Sequence, residues 1–104
     1  MLTEESFQAL RLCDASLTGI TWLEAGRDLS IELVHASGRN VTLVCSWAHA
    51  HHIELKTPPQ RGGHPLLWEA TLASEGPAWR LLLDFGGAGE IGLLCNAVSL
   101  GGGT

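Results

Sequence analysis

Apolar and polar side chains alternate along most of this chain, in short runs separated by turns that often contain glycine. A period of two places the apolar side chains on one face of an extended strand, whereas a helix repeats about every 3.6 residues. The predicted strands occupy seven segments: 17–23, 29–36, 41–47, 52–56, 66–73, 79–85 and 91–100. Their connections are too short for crossover helices, so the strands are expected to be antiparallel. The predicted fold class is all-β, with about seven short antiparallel strands forming a sandwich or a partly open barrel.

The clearest hairpin joins segments 29–36 and 41–47 through the turn Ser37-Gly-Arg-Asn40. In the second of these strands the period of two aligns Val41, Leu43, Cys45 and Trp47 on the side that faces the core. Trp22, Trp68 and Trp79 share the parity of the core-facing residues of their own strands. The tryptophans are therefore predicted to be core residues; the alternative is that one or two of them near a sheet rim anchor a partner.

One short helix is predicted before the strands, over residues 1–12. Thr3 is a suitable N-cap, and Glu4 and Glu5 follow in the first turn, where the helix dipole favours negative charge. Leu2 and Phe7 have the spacing of a hydrophobic staple. We expect the helix to close one end of the β-structure or to lie across a sheet edge.

At 104 residues, 45% of them hydrophobic, the chain has the size and composition of one folded domain. We predict a single domain over 1–104, with the helix at 1–12, β-structure at 17–100 and a flexible tail at 101–104. The acidic opening "MLTEES" differs from a signal peptide, and no apolar run approaches the roughly 20 residues of a membrane span. A cytoplasmic protein that does not contact membranes is therefore expected.

The charge distribution argues against nucleic acid as a partner. The net charge is −5, and the six basic residues are scattered singly: Arg11, Arg27, Arg39, Lys56, Arg61 and Arg80. Such scattering offers no cluster that neutralises a run of phosphates. The three cysteines, Cys13, Cys45 and Cys95, have apolar neighbours and no CxxC spacing, which predicts buried reduced thiols. No cofactor is expected.

The stretch "CSWAHAHH" (45–52) contains three of the five histidines. Residues two apart on a strand share a face about 7 Å apart, so His49 and His51 are the candidate metal ligands, and His52 is expected to face away. A metal site there needs a third ligand that the sequence does not indicate. The alternative is a solvated corner near Ala48–Ala50, because one unbroken strand from 41 to 55 would be unusually long.

A loop of about nine residues, 57–65, contains two prolines and two glycines together with Arg61 and His64. Loops on β scaffolds commonly carry binding residues, although a rigid connector explains the same composition. The candidate pocket or partner contacts are His52, Arg61, His64 and Trp47.

The segment "CDASLTGITWLEAGRDLSIEL" (13–33) resembles small bacterial domains that open with D-[AS]-x-L-x-x-I, followed by a turn and an alternating strand. This opening recurs in uncharacterised bacterial proteins and in some immunity proteins of toxin systems. The resemblance implies a small β domain with a protein partner. Cys13 occupies the position at which one such immunity family has His, and no functional residue is transferred from the resemblance.

Three functions are compatible with these features. The first is a non-catalytic protein-binding module, in one form an immunity-like protein. The second is a metal- or small-molecule-binding enzyme that uses the His49/His51 face. The third is a structural homodimer formed through sheet edges, since weakly charged edge strands can pair with a second copy.

Overall fold

The computed structural model describes residues 1–55 and 66–101, and for Ala50 and His51 it describes the backbone alone. The described residues form one short helix and eight strands. These are α1 (Glu4–Ala9), β1 (Ser16–Leu23), β2 (Asp28–Val34), β3 (Asn40–Ser46), β4 (His49–Leu55), β5 (Glu69–Glu75), β6 (Ala78–Asp84), β7 (Gly89–Cys95) and β8 (Ala97–Leu100). The all-β prediction with one N-terminal helix is confirmed.

The strands form two four-stranded sheets in which every pairing is antiparallel. Sheet A has the order β1-β2-β3-β8, and sheet B has the order β4-β7-β6-β5. The predicted hairpin corresponds to β2 and β3, in which Ile31 lies opposite Leu43. The described residues thus form a two-layer sandwich of separate sheets.

The chain passes between the two sheets at two points that lie side by side. It leaves sheet A after Ser46 and enters sheet B at His49. It returns at Asn96, so the single strand predicted over 91–100 is in fact β7 in sheet B and β8 in sheet A. The Asn96 backbone N–H donates to the Ser46 carbonyl at 2.8 Å, which joins the two crossings.

The core lies between the inner faces of the sheets and follows the predicted alternation closely. Fully buried inner residues come from both layers, namely Leu29, Ile31, Leu33, Leu43 and Val98 in sheet A and Leu81, Leu83, Ile91 and Leu93 in sheet B. Residues at alternate positions of a strand differ in exposure because successive side chains point to opposite faces of the sheet. Burial of this apolar surface is the main favourable contribution to folding.

Helix α1 is shorter than the predicted segment 1–12. It lies across the edge strand β5, which is one of the two predicted placements. Thr3 caps it, accepting from the Ser6 backbone N–H at 3.2 Å. Phe7 and Leu2 are both buried, in agreement with the predicted staple. The Ser74 backbone N–H donates to Glu4 Oε1 at 3.2 Å and ties the helix to β5. No helix among the described residues has the length and apolar character to cross a bilayer.

The cysteine prediction is correct for two residues and wrong for one. Cys45 and Cys95 are buried free thiols, but Cys13 is exposed. Cys13 follows the helix in an irregular segment rather than occupying an inward position of a strand, so its apolar neighbours in sequence do not cover it. Of the tail predicted at 101–104, Gly101 is described and its N–H donates to the Thr42 carbonyl at 2.7 Å. Residues 102–104 lie outside the described residues.

Candidate functional site

Trp47 occupies the crossing between the sheets, and its side chain points outward. The strand β3 ends at Ser46, and Trp47 has a φ of +53°. A left-handed residue interrupts the alternation of a strand, so Trp47 does not join Cys45 on the inner face. The side chain is 57% exposed. The prediction that Trp47 is a core residue is therefore wrong, whereas its selection as a candidate partner contact stays a prediction.

The backbone of Trp47 is held by a carboxylate from the neighbouring strand. Asp28, the first residue of β2, is only 8% exposed, and its Oδ1 accepts the Trp47 backbone N–H at 3.1 Å. The next residue, Ala48, donates its own N–H to the Arg27 carbonyl at 2.9 Å. The backbone N–H groups of Trp47 and Ala48 are thus held by two consecutive residues, Asp28 and Arg27.

Arg27 contacts both the Asp28 carboxylate and the Trp47 ring. Its Nε and Nη2 donate to Asp28 Oδ1 and Oδ2 at 3.1 and 3.0 Å, a bidentate pair. The guanidinium carbon lies 5.3 Å from the centroid of the Trp47 ring, a cation–π geometry. The hydrogen bonds from Arg27, followed by that from the Trp47 amide, hold the pKa of Asp28 below its usual value. The carboxylate therefore stays charged across the physiological pH range.

The left-handed conformation has a cost that these contacts offset. For a non-glycine residue it amounts to roughly 1–2 kcal/mol. Strain of this kind persists where surrounding contacts over-determine the backbone, and it is frequent at functional sites. An aromatic side chain that remains mostly exposed brings little burial energy in return. Burial of the side chain therefore does not account for the position of Trp47.

The register places two more exposed apolar residues at the end of β1, on opposite faces of sheet A. Leu23 lies opposite Asp28 at the end of β1, and Trp22 lies opposite Leu29. Trp22 is on the inward-facing side of β1 but is 45% exposed, because it lies at the end of an edge strand. It too was predicted to be a core residue, and that prediction is wrong. We refer to Leu23, Arg27 and Trp47, without the oppositely facing Trp22, as the Trp47 surface.

The histidines belong to β4 rather than to a solvated corner. The crossing lies at Trp47 and Ala48, with Ala48 buried, and β4 begins at His49. The corner predicted near Ala48–Ala50 is therefore displaced toward the N-terminus by about one residue. The displacement arises because the change of sheet, rather than the run of small and polar residues, determines where the chain turns.

A bulge in β4 changes the predicted facing of His52. His49 lies opposite Leu94 and His52 lies opposite Gly92, with the irregularity falling at His51. Leu94 and Gly92 are two apart on β7 and share its outer face, so His49 and His52 share that face as well. The prediction that His52 faces away from His49 is thus wrong. The side chain of His51 is not described, and the His49/His51 metal pair stays a prediction.

His52 lies between two carboxylates on the outer face of sheet B. Its Nε2 is 3.5 Å from Glu54 Oε2 and 3.5 Å from Glu90 Oε1, with all three side chains about half exposed. The register continues this row across the sheet, because Glu90 lies opposite Asp84 and Asp84 lies opposite Glu69. Four carboxylates therefore cross all four strands of sheet B. Exposed pairs of this kind contribute little to stability.

The described residues include no group of three or more His, Cys, Asp or Glu side chains arranged to hold a metal ion. Arg61 and His64, the other candidate contacts, fall in 56–65 and lie outside the described residues. Among the sequence-based candidates, the structure thus brings Trp47, His49 and His52 onto one continuous segment.

A cleft lies between α1 and the start of β5. It is a cleft of about 400 Å³ lined by Phe7, Gln8, Arg11, Leu12, Cys13, Trp68, Glu69 and Ala70. Trp68 precedes β5, and its ring packs on the backbone of Gly86, where an added Cβ would lie 2.6 Å from the ring. It remains 66% exposed, so its predicted core position is wrong. Trp79 alone of the four tryptophans packs partly against the core.

Arg27 and Asp28, which hold Trp47 in place, were not identified from the sequence. The signal available was a basic and an acidic residue at the start of a strand, which is too common to be informative. Their role depends on residue 47 lying beside residue 28, and that contact follows from the pairing of β2 with β3 and from the end of β3 at Ser46.

The fold and the Trp47 surface define a small two-sheet β-sandwich protein that exposes an anchored tryptophan. The chain is similar to a crystal structure described as an uncharacterized protein from Neisseria gonorrhoeae. The TM-score is 0.64 at 14% sequence identity, covering 85% of this chain and 90% of that chain. At this identity the similarity concerns the fold alone. Comparisons with protein-family models and with curated proteins find no match.

Proposed function

We propose that this chain is a non-catalytic protein-binding module whose partner contacts the Trp47 surface. One observation carries the proposal: Trp47 is exposed and left-handed, while Asp28 accepts its backbone N–H and the Arg27 carbonyl accepts the N–H of Ala48. Binding to a fixed aromatic side chain loses less conformational entropy than binding to a mobile one. The affinity that the indole provides is thereby increased.

The composition of the Trp47 surface fits this role. Tryptophan and arginine are the residue types most often found as dominant contacts in protein interfaces. Arg27 is held in place by Asp28 and offers its guanidinium beside the ring. Leu23, opposite Asp28 at the end of β1, adds exposed apolar area next to it. His49 and His52, which follow Trp47 in the chain and lie on the outer face of β4, are further candidate contacts.

In its immunity-like form the proposal has a toxin domain as the partner. The support is the resemblance of segment 13–33 to immunity proteins, and two residues of this segment, Leu23 and Arg27, belong to the Trp47 surface. The first candidates to test are therefore the proteins encoded beside this chain. A toxin domain among them favours the immunity-like form, and an enzyme or a transporter opposes it.

The test compares two exposed tryptophans. Purified neighbouring proteins, and any protein captured from a lysate and then purified, are titrated by calorimetry against the unmodified chain, Trp47→Ala and Trp68→Ala. A dominant contact contributes at least about 2 kcal/mol, so Trp47→Ala is expected to weaken binding by roughly 30-fold or more. Trp68→Ala, remote from the Trp47 surface in the sequence, is the matched control and is expected to bind like the unmodified chain. Equal binding by Trp47→Ala contradicts the proposal.

Two further measurements separate the alternatives. Metal analysis of protein purified without a histidine tag addresses the metal-dependent enzyme, since stoichiometric metal that is lost in His49→Ala would oppose a purely binding role. Light scattering at two concentrations addresses the homodimer. If a dimer forms and persists in Trp47→Ala, the sheet edges rather than the Trp47 surface are the contact.

A further inference from the structure

We propose that Cys45 and Cys95 are a dithiol pair that a small-molecule disulfide oxidises to a disulfide bond joining the two sheets. Cys45 belongs to β3 in sheet A and Cys95 to β7 in sheet B. Both are free thiols, and they are 0% and 2% exposed. The proposal is independent of the protein-binding function.

The positions of the two residues follow from the adjacent crossings of the chain. Ser46, next to Cys45, accepts the backbone N–H of Asn96, which is next to Cys95. Cys45 lies opposite Leu29 and Val98, which are both fully buried, and so it points into the sandwich from sheet A. Cys95 lies opposite Trp79, which packs partly against the same core. The two side chains thus converge inside one end of the sandwich.

The thiols interact directly with each other. A hydrogen bond between them, together with burial, raises the pKa of Cys45. The same hydrogen bond, followed by one from the Ala97 backbone, lowers the pKa of Cys95. Cys95 Sγ donates to the Trp79 carbonyl at 3.8 Å, and its lowered pKa makes Cys95 the thiol that ionises more readily. This division of roles suits thiol–disulfide exchange, in which a thiolate is the nucleophile.

The reaction balances with oxidised glutathione as the oxidant. The Cys95 thiolate attacks one sulfur of glutathione disulfide, forming a mixed disulfide and releasing one glutathione thiolate. Cys45 then loses its proton and attacks the Cys95 sulfur, which releases the second glutathione. The two protein thiols lose two electrons and two protons in total, and glutathione disulfide is reduced to two glutathione molecules.

The bond would connect residues 50 positions apart and would join sheet A to sheet B. A cross-link over a loop of this length restricts the unfolded chain, and a midpoint of thermal unfolding raised on the order of 10 °C or more is expected. Inter-sheet disulfides beside a tryptophan occur in other β-sandwiches. The bond would also fix the end of β3, from which Trp47 projects.

The test uses the full chain with Cys13→Ser, because Cys13 is exposed and would form mixed disulfides of its own. The reduced protein is incubated in a glutathione redox buffer, either folded or during refolding from urea, and is then treated with N-ethylmaleimide. We expect the mass to fall by two hydrogen atoms with no maleimide added, and unreduced peptide mapping to link Cys45 with Cys95. The raised midpoint is expected to return to its original value on addition of dithiothreitol.

Cys45→Ser and Cys95→Ser, each in the Cys13→Ser background, are the matched controls and are expected to show no rise in the midpoint. The refolding arm removes the barrier that burial places on the reaction. Two free thiols, or a glutathione adduct that persists after refolding, would overturn the proposal. A disulfide that joins two chains instead of Cys45 and Cys95 of one chain would overturn it as well.

Discussion

The left-handed backbone at residue 47 has a consequence for stability that a pair of substitutions isolates. Trp47→Ala and Trp47→Gly both remove the indole together with its contact to Arg27, so they differ only in the backbone. At a φ of +53° an alanine is strained by roughly 1–2 kcal/mol, whereas glycine adopts the conformation freely. Glycine in turn loses about 0.4–1 kcal/mol more chain entropy on folding. The Trp47→Gly variant is therefore expected to be about 1 kcal/mol more stable than Trp47→Ala.

Urea unfolding followed by far-ultraviolet circular dichroism measures this difference, provided that the slope of the unfolding free energy against urea is the same in both variants. Ala73→Gly, in the middle of β5, is the matched control. Glycine in a strand interior with ordinary φ is expected to reduce stability by about 0.5–1 kcal/mol, which is the opposite sign. If Trp47→Gly is no more stable than Trp47→Ala, residue 47 is not left-handed and the explanation of its exposure fails.

Three further predictions concern other parts of the fold. Gly89→Ala is expected to reduce the unfolding free energy by more than about 3 kcal/mol in urea, because Gly89 has a φ of +118° and an added Cβ would overlap the backbone oxygen of Glu54. In a pH series, unmodified chain and Asp28→Asn are expected to differ most above about pH 5 and to converge as acid protonates Asp28, since its folded pKa lies below the unfolded value of about 3.9. In a His52→Ala background, which removes the contact of His52 with Glu90, Glu90→Gln is expected to raise the free energy of unfolding by a few tenths of a kcal/mol at low salt, because Glu90 lies between Glu54 and Asp84, and the gain is expected to shrink in added salt.

The fold was predictable from the sequence because alternation reports which side chains are inward. The prediction for Val41, Leu43 and Cys45 holds for this reason. Trp47 has the same parity, yet it lies one residue beyond the end of β3. The alternation carries no information about where the chain leaves a sheet, so the predicted strand includes Trp47 and wrongly places it in the core.

Two bulges change which side chains share a face of their sheet. The irregularity in β1 falls at Thr18 and the one in β4 falls at His51, and each shifts the parity of the residues after it. Leu17 therefore shares the inner side with Ile20, although the two are three positions apart, and His52 shares the outer side with His49. A bulge depends on the partner strand, so the sequence of one strand does not reveal it.

The candidate site was predictable only in part, for a similar reason. The sequence indicates that tryptophans near a sheet rim are candidate anchors, and Trp47 was among the candidates. The residues that hold it, Arg27 and Asp28, are about 20 positions away in the chain. Their contact with Trp47 depends on the pairing of β2 with β3, which the sequence indicates as a hairpin but not at the level of individual hydrogen bonds.

The central claim is that Trp47 is exposed and yet anchored, and hydrogen exchange of its backbone amide tests this most directly. Because the N–H donates to Asp28 at 3.1 Å, we expect slow exchange in the unmodified chain and fast exchange in Asp28→Ala, with the amide of Leu81 in the core unchanged as the control. An amide of Trp47 that exchanges in the unmodified chain as fast as in an unfolded peptide would contradict the claim.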